Sequence, residues 1–240
     1  MFDIVFLSYD EPACETNWAK LLKVAPLAKR VHGVNGLWAA HKACAEVSST
    51  KNFFLVDGDA EVVDGFSFSF QHCSSEELET QIFLWRSVNP VNDLVNGNGA
   101  IKLVPRSAFS VGVEGLDMTT CVRKRFVRVD EVASVSRFNT SRLSAWRAGF
   151  RECAKLAGDV LDRGNEWERR FRLQQWCGRG ADRPYGEWCI RGSIAGRRFG
   201  MVNRGDGKAL ALINDYAALE RMFQLELESI EVPGLRANAG

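Results

Sequence analysis

The chain lacks the sequence features of several large protein classes. Its seven cysteines are odd in number and irregularly spaced, and no Cys-x-x-Cys occurs, which argues against a disulfide framework and a zinc site. No run of about 18 or more apolar residues exists, so no membrane-spanning helix is predicted. The first residues, MFDIVFLSYDEP, lack a basic region and a small-residue cleavage site, and they are interpreted as a strand rather than a signal peptide. These absences favour a cytoplasmic protein with free thiols and no membrane partner.

Net charge is also small, at +1, but it is unevenly distributed along the 240 residues. Residues 121–200 hold 18 Lys or Arg against 9 Asp or Glu, a net +9, whereas residues 1–120 hold 9 against 15, a net −6. A basic block of this kind predicts a polyanionic or phosphate-bearing partner for the second half. The alternative is that its arginines pair with the acidic first half inside the fold.

The hydrophobic pattern predicts an α/β protein. Strand and helix patterns alternate as βαβαβ, which is typical of a parallel sheet; the ranges are 2–8, 15–25, 28–34, 36–47 and 52–56. In such sheets ligands bind beyond the carboxyl ends of the strands. Four further strands are predicted, over 66–70, over QIFLWRSV, from Ile101 and over 123–136, with an acidic turn at 76–79.

The pattern changes to helices from Asn139, with Thr140 or Ser141 as the N-cap. Helices are expected over NTSRLSAWRAGFRECAKLA, over NEWERRFRLQQW and near 211–228, with a Gly-rich segment at 178–200. We therefore predict a ligand-binding α/β core over 1–137. The mainly helical region over 138–240 is predicted to bind the acceptor and complete the active site.

The third strand runs into an acidic pair, as FFLV is followed directly by Asp57-Gly58-Asp59. In an extended segment, residues i and i+2 point the same way, so two carboxylates are expected to project together at the ligand-binding edge. Repulsion between them favours a hard divalent cation, Mn²⁺ or Mg²⁺, which also binds substrate phosphates. The alternative is a simple Asp-Gly turn.

This arrangement resembles the GT-A glycosyltransferases. The resemblance implies a GT-A, Rossmann-like fold with a mixed, mostly parallel sheet flanked by helices and a helical C-terminal appendage. It also implies that Asp57 and Asp59 hold the metal, and through it the diphosphate of a nucleotide sugar, taken to be a UDP-sugar. The residues predicted to bind the nucleotide sugar are Ser8, Tyr9, Asp10, His41, Lys42, Asp57, Gly58, Asn98 and Gly99, together with His32, which faces the same edge because it ends the second strand. For His32 a structural role is left open, and for the Asn98-Gly99 loop a tight turn.

A narrower resemblance reaches about residue 155. The combination RVHGVNG, AHK, FFLVDGDAEV, NGNGAIKLVP and WRAGFRECAKL is similar to a group of bacteriophage-encoded glycosyltransferase-like proteins. It implies a hexosyl- or pentosyltransferase whose acceptor is a hydroxymethylated pyrimidine in double-stranded phage DNA. The basic block would then contact DNA phosphates.

The predicted helix after Asn139 carries the remaining candidates. Arg147, Arg151 and Lys155 are spaced four residues apart and form one face, which we predict binds phosphates or acceptor together with Trp146. Their alternatives are a solvated face and, for Trp146, the core. Glu152 is the first candidate for the base of an inverting enzyme, ahead of Asp130 and Glu131, although it could instead pair with an arginine.

Three other functions share parts of this pattern. A glycosyltransferase acting on a glycan or small acceptor would need no DNA affinity. A nucleotidyltransferase would use the same acidic edge, but FLSYDEPACET has no glycine-rich basic loop after the first strand. A non-catalytic binding module would keep the fold without turnover.

Overall fold

The structure, a computed structural model, describes residues 1–70, 74–96, 99–160 and 166–231. It divides into two compact units, Met1–Thr140 and Ser141–Gly240. The sequence pattern had put this division after residue 137. Within the described residues, no helix combines the length and apolar character needed to cross a membrane.

The first unit is α/β and contains one mixed sheet. Its strands are β1 (Asp3–Ser8), β2 (Lys29–His32), β3 (Asn52–Asp57), β4 (Ala60–Val62), β5 (Gln81–Val88), β6 (Val95–Asn96), β7 (Ile101–Pro105) and β8 (Arg125–Ser136). Its α-helices are α1 (Cys14–Val24), α2 (Leu37–Val47), α3 (Ser75–Thr80) and α4 (Met118–Cys121), and a 3₁₀ helix covers Arg106–Phe109. The strand order is β2-β1-β3-β7-β5-β8-β4, with β6 paired to β5.

Parallel and antiparallel pairing occupy different parts of this sheet. β1 pairs in parallel with β2 and β3, as the βαβαβ pattern predicts, and β5 pairs in parallel with β8. β7 is antiparallel to β3 and β5, and β4 is antiparallel to β8. The α/β class and the mixed sheet flanked by helices are therefore confirmed.

Strand β3 lies inside the sheet, between β1 and β7, and its sequence is a continuous apolar run. Phe54 and Val56 pack with Leu21 of α1 on one face of the sheet, and Phe53 and Leu55 pack on the α2 face. Strands covered on both faces bury every side chain, so alternation with polar residues disappears. The two crossover helices consequently lie on opposite faces.

Two predictions in this unit are wrong. The segment 66–70 is not a strand, although its alternation is meaningful because Phe66, Phe68 and Phe70 all pack against the core on the α1 face. The acidic turn is helix α3. Its N-cap Ser74 accepts from the Glu77 backbone N–H, while the Glu77 side chain accepts from the Ser74 N–H. This capping box provides hydrogen-bond acceptors for backbone N–H groups at the start of the helix, which have no acceptor within the helix itself.

The second unit is helical. Its elements are α5 (Arg142–Ala157), α6 (Glu166–Gly178), α7 (Gly186–Val202), α8 (Gly207–Leu210), a 3₁₀ helix (Ala211–Asn214) and α9 (Tyr216–Glu231). Ser141 is the N-cap of α5, and its side chain accepts a hydrogen bond from the Ser144 backbone N–H. Of the two predicted N-caps, Thr140 and Ser141, the second is the one observed.

Most of α7 lies in the Gly-rich segment at 178–200, because its glycines form a packing surface. A Cβ atom on Gly192 would lie 2.0 Å from the Trp146 carbonyl oxygen of α5, and one on Gly196 would lie 2.1 Å from that of Phe150. Glycine costs a helix about 1 kcal/mol of propensity per residue. Direct contact between two helix backbones, which larger residues would prevent, offsets that cost.

Candidate functional site at the carboxyl edge of the first unit's sheet

The carboxyl ends of β1, β2 and β3 meet at one edge of the sheet. Ser8 lies opposite His32 in the β1–β2 ladder, and Leu7 lies opposite Asp57 in the β1–β3 ladder. Since α1 and α2 cover opposite faces, the chain leaves this edge in two directions. This is the position at which open α/β sheets bind ligands.

Asp57 is the last residue of β3, and Gly58 and Asp59 form a turn that leads into β4. The Asp57 N–H donates to the Ala100 carbonyl oxygen at 2.9 Å, and the Gly58 carbonyl oxygen accepts from Asn17 Nδ2 at 3.0 Å. The Asp59 carbonyl oxygen accepts from the Arg137 N–H at 2.7 Å. Because the strand ends between the two carboxylates, strand alternation does not apply from Asp57 to Asp59, and the inference that both point the same way loses its basis.

A buried lysine neutralises the first aspartate. Lys102 Nζ lies 2.6 Å from Asp57 Oδ1, and the lysine side chain is only 7% exposed, against 36% for Asp57. Lys102 belongs to β7, whose five residues are all buried. Sequence reasoning missed this residue, although a lysine inside the apolar run IKLVP is a signal that a buried anion must lie nearby.

The two basic residues predicted on α2 point in different directions. His41 is buried; its Nδ1 donates to the Leu37 carbonyl oxygen at 2.7 Å, and burial together with the charge of Lys102 lowers its pKa. Lys42 is exposed and lies 4.0 Å from Glu46 on the same helix. His41 therefore lies near the Asp57–Lys102 pair as a neutral ring, and Lys42 faces solvent.

On the α1 face, His32 takes part in a polar chain. Its Nδ1 lies 2.9 Å from Ser8 Oγ, which also accepts from Arg30 Nε at 3.1 Å, and Arg30 pairs with Glu15 at 2.5 Å. This chain brings two predicted residues, Ser8 and His32, into contact. Tyr9 and Asp10 follow directly and are exposed.

Glu11, three residues after the end of β1, also lies against this turn. Its Oε2 accepts from the Tyr9 N–H at 2.8 Å, and a Cβ atom on Gly58 would lie 2.5 Å from it. Burial raises the pKa of Glu11, the hydrogen bond from Tyr9 opposes that rise, and the charges of Asp10 and Asp57 add to it. Only glycine at 58 allows the carboxylate this approach.

The predicted loop residues Asn98 and Gly99 have different outcomes. Asn98 lies outside the described residues. Gly99 is buried with φ +75°, and a Cβ atom there would lie 3.1 Å from Leu84 Cδ2 and 3.3 Å from Lys102 Cε. The turn conformation and the packing over Lys102 therefore account for this glycine.

The donor atoms at the turn fit a divalent cation poorly. Mg²⁺ and Mn²⁺ favour several oxygen ligands. No group of three or more His, Cys, Asp or Glu side chains that could hold a metal occurs within the described ranges, and Asp57 already bonds an ammonium group. A metal bound by Asp57 and Asp59 stays a prediction.

The candidates on α5 are engaged inside the helical unit. Glu152 is ion-paired to Arg172, and its Oε2 lies 3.3 Å from Lys155 Nζ. Arg151 Nε donates to the Ile213 carbonyl oxygen at 2.8 Å, and the Arg147 guanidinium lies 4.1 Å from the centre of the Tyr216 ring. These contacts give each residue a structural role.

Trp146 lies in the interior of the helical unit, and the two lesser base candidates are also bonded. The Trp146 side chain is 1% exposed, and its Nε1 donates to Glu226 Oε2 at 2.6 Å. Asp130 lies 2.9 Å from Arg86, and Glu131 accepts from Trp85 Nε1 at 3.0 Å. Core packing, which the sequence left open for Trp146, explains that residue.

Comparison with known proteins gives no family. A scan against protein-family models finds no match, and a search of curated proteins finds none either. A function for the chain is therefore inferred from the geometry of the sheet edge.

Proposed function

We propose that the chain is a glycosyltransferase of the GT-A type, which transfers a sugar from a nucleotide sugar to an acceptor hydroxyl. One observation carries the proposal: the Asp57-Gly58-Asp59 turn lies at the carboxyl end of β3, beside the end of β1, in a parallel β2-β1-β3 unit. Ser8 and His32 meet at the same edge. In this proposal the Ser8–Asp10 segment and His32 contact the nucleotide, and the acidic turn contacts the ribose and diphosphate region.

The chemistry that the edge must support is the loss of a diphosphate. As the anomeric C–O bond breaks, negative charge grows on the departing group, and a positioned cation lowers the barrier. The ammonium group of Lys102 lies beside Asp57 and is a cation that the structure places at this edge. We assign to Lys102 the role of pairing with the diphosphate, with Asp57 orienting its ammonium group.

The direct test is a thermal-shift screen of nucleotide sugars, UDP-sugars first, with and without Mn²⁺. A ligand that binds the native state raises the melting temperature by mass action. We expect at least one nucleotide sugar to do so, and the arm with Mn²⁺ decides whether the cation is required. If no nucleotide sugar shifts the melting temperature in either arm, the proposal is wrong.

Matched variants locate the binding site. Lys102→Met is expected to weaken nucleotide-sugar binding by about tenfold or more, because a charge-assisted contact to phosphate is lost. Lys23→Met removes an exposed lysine of α1 and should leave the affinity unchanged. Asp59→Asn should abolish turnover, whereas Asp64→Asn, in the exposed turn after β4, should not. Equal effects of test and control variants would place the site elsewhere.

For the acceptor we propose DNA that carries a hydroxymethylated pyrimidine. The support is the basic composition of residues 121–200 and one surface feature of the helical unit. There the guanidinium groups of Arg142 and Arg191 lie 5.5 and 5.7 Å from the half-buried Trp188 ring. Binding of duplex DNA should fall steeply as salt rises, and Arg191→Ala should weaken it. Absence of binding at low salt would leave sugar transfer to a glycan or small acceptor.

A further inference from the structure

Polar side chains on the α1 face of the sheet form a hydrogen-bonded chain that ends at an exposed histidine. Arg30 and His32 are two residues apart in β2, so their side chains project to the same face. Ser8 lies opposite His32 in β1 and is buried, and Glu15 belongs to the first turn of α1. The chain therefore joins two strands and a helix at the edge where the candidate site lies.

Arg30 is held in one orientation by its surroundings. Its Nη1 lies 2.9 Å from Glu15 Oε2 and its Nη2 lies 2.5 Å from Glu15 Oε1, which makes the ion pair bidentate. The guanidinium group also lies 5.8 Å from the ring centres of Phe6 and Trp18. A planar group held by a carboxylate and two rings directs its other N–H bonds along fixed lines.

The other contacts of Arg30 determine which nitrogen of His32 carries a hydrogen. Arg30 Nε donates to Ser8 Oγ at 3.1 Å, and Arg30 Nη2 lies 3.3 Å from His32 Nδ1. Because a guanidinium group has donors only, His32 Nδ1 must present its lone pair to it. The Ser8 hydroxyl, 2.9 Å from Nδ1, then accepts from Arg30 and donates to the ring. The single N–H of the neutral ring is consequently on Nε2.

His41 has the opposite arrangement. Its Nδ1 donates to the Leu37 carbonyl oxygen at 2.7 Å, so the N–H of its neutral ring is on Nδ1. His41 is also buried, whereas His32 is exposed. His32 therefore presents at the sheet edge a hydrogen-bond donor whose direction is fixed by the protein itself.

We propose that Glu15 and Arg30 are positioning residues that hold His32 in its Nε2–H form, and that this N–H donates to a carbonyl oxygen of a pyrimidine base. This role rests on the proposed function, in which His32 contacts the nucleotide of the sugar donor. The charge of Arg30 is balanced by Glu15, and the ring that accepts from Arg30 is neutral. A chain without net charge suits an uncharged acceptor such as a uracil carbonyl better than a phosphate.

The first test needs no ligand. Long-range ¹H–¹⁵N correlation spectra of the full-length protein, recorded at about pH 8, where free imidazole is neutral, show which ring nitrogen carries the hydrogen. We expect Nε2 for His32 and Nδ1 for His41. Arg30→Met should convert His32 to a mixture of both forms without changing His41, and Glu15→Gln should do so more weakly. Lys23→Met, the control at an exposed cation, should change neither ring.

These spectra can contradict the positioning role by themselves. An N–H on Nδ1 of His32 in the wild type would overturn it. So would an Nε2–H form that persists in Arg30→Met, or in Glu15→Gln if Arg30→Met does not fold.

The second test compares UMP with ribose 5-phosphate, which lacks the base. His32→Leu should weaken UMP binding by about threefold to tenfold, because one hydrogen bond is lost, and should leave the affinity for ribose 5-phosphate unchanged. His32→Gln keeps an N–H donor at the end of the side chain, and its UMP affinity should stay within about twofold of the wild type. Calorimetric titration measures both ligands.

The outcomes distinguish this role from the proposed function. An equal loss for both ligands in His32→Leu would place the contact on the sugar phosphate, and no loss for UMP would remove His32 from the site; either result overturns the role while leaving a nucleotide site in place. A wild-type protein that does not bind UMP would instead overturn the nucleotide site and this role with it.

Discussion

The sheet unit and the helical unit use their charged side chains in different ways. At the sheet edge, Asp57 is balanced by one lysine and remains about one-third exposed, and Glu11 is held near it with a raised pKa. In the helical unit, Glu152 is bonded to two cations, and all three of these side chains are at most 17% exposed. A charged pair that stays partly exposed beside a carboxylate of raised pKa is typical of a functional site, whereas a buried ion-pair network is more often structural.

The largest expected effect concerns the architecture of the helical unit. Gly196→Ala would place a Cβ atom 2.1 Å from the Phe150 carbonyl oxygen. Because backbone cannot yield as a side chain can, α5 and α7 must separate, and we expect a loss of about 3 kcal/mol or more in the free energy of unfolding. Chemical denaturation followed by circular dichroism measures it.

The control for this variant is Gly178→Ala. A Cβ atom there would meet nothing within 4 Å, so the change should stay within about 0.5 kcal/mol. Equal stability of the two variants would mean that the helix contact is not as close as described.

The second prediction separates a structural Glu152 from a catalytic one. Glu152→Gln removes the charge that pairs with Arg172 and Lys155, and we expect the unit to lose about 2 kcal/mol of stability. Glu228→Gln, at an exposed position of α9, is the matched control and should have almost no effect. A variant that keeps its stability but loses glycosyl transfer would restore Glu152 as the base.

How far the sequence predicts the fold depends on the kind of signal. The runs that form β1, β3 and β5 were predicted because buried strands have no local alternative to the sheet. The segment around Phe68 was assigned wrongly because alternation reports which side chains are buried, not whether the backbone is paired. Helix α7 was not predicted because glycine opposes a helix locally, and only the neighbouring backbone of α5 makes it favourable.

The sequence predicted where the candidate site lies, but not the lysine that pairs with its first aspartate. The Asp57-Gly58-Asp59 turn, Ser8 and His32 follow from where the strands end. Lys102 is 45 residues away from Asp57 in sequence, and its proximity depends on β7 pairing with β3. No local pattern contains that pairing. The basic face of α5 was misleading for a related reason. Arg147 contacts Tyr216 and Arg151 contacts Ile213, and these partners come from a distant segment of the sequence.

The smallest expected effect is on stability and concerns Glu11, a carboxylate at the candidate site. The pKa of Glu11 is raised in the folded state, so the folded protein binds a proton more tightly there than the unfolded chain does. Ionisation therefore costs stability as pH rises from about 4.5, the ordinary value, through the folded pKa. Glu11→Gln should accordingly stabilise the protein at pH 7 by about 1 kcal/mol or less, and this gain should disappear below pH 4.

The opposite sign is expected at Glu15, four residues further on. Its pKa is lowered, chiefly by the hydrogen bond from Arg30, so its ionised form stabilises the fold above the unfolded pKa, and that stability is lost as pH falls through the folded pKa. Glu15→Gln should therefore destabilise at pH 7. Melting temperatures of the two variants between pH 3 and pH 8 should diverge from wild type in opposite directions. If both variants shift the melting temperature in the same direction across this pH range, ionised Glu11 does not destabilise the fold. The sheet edge and the helical unit would then differ only in how exposed their charged side chains are.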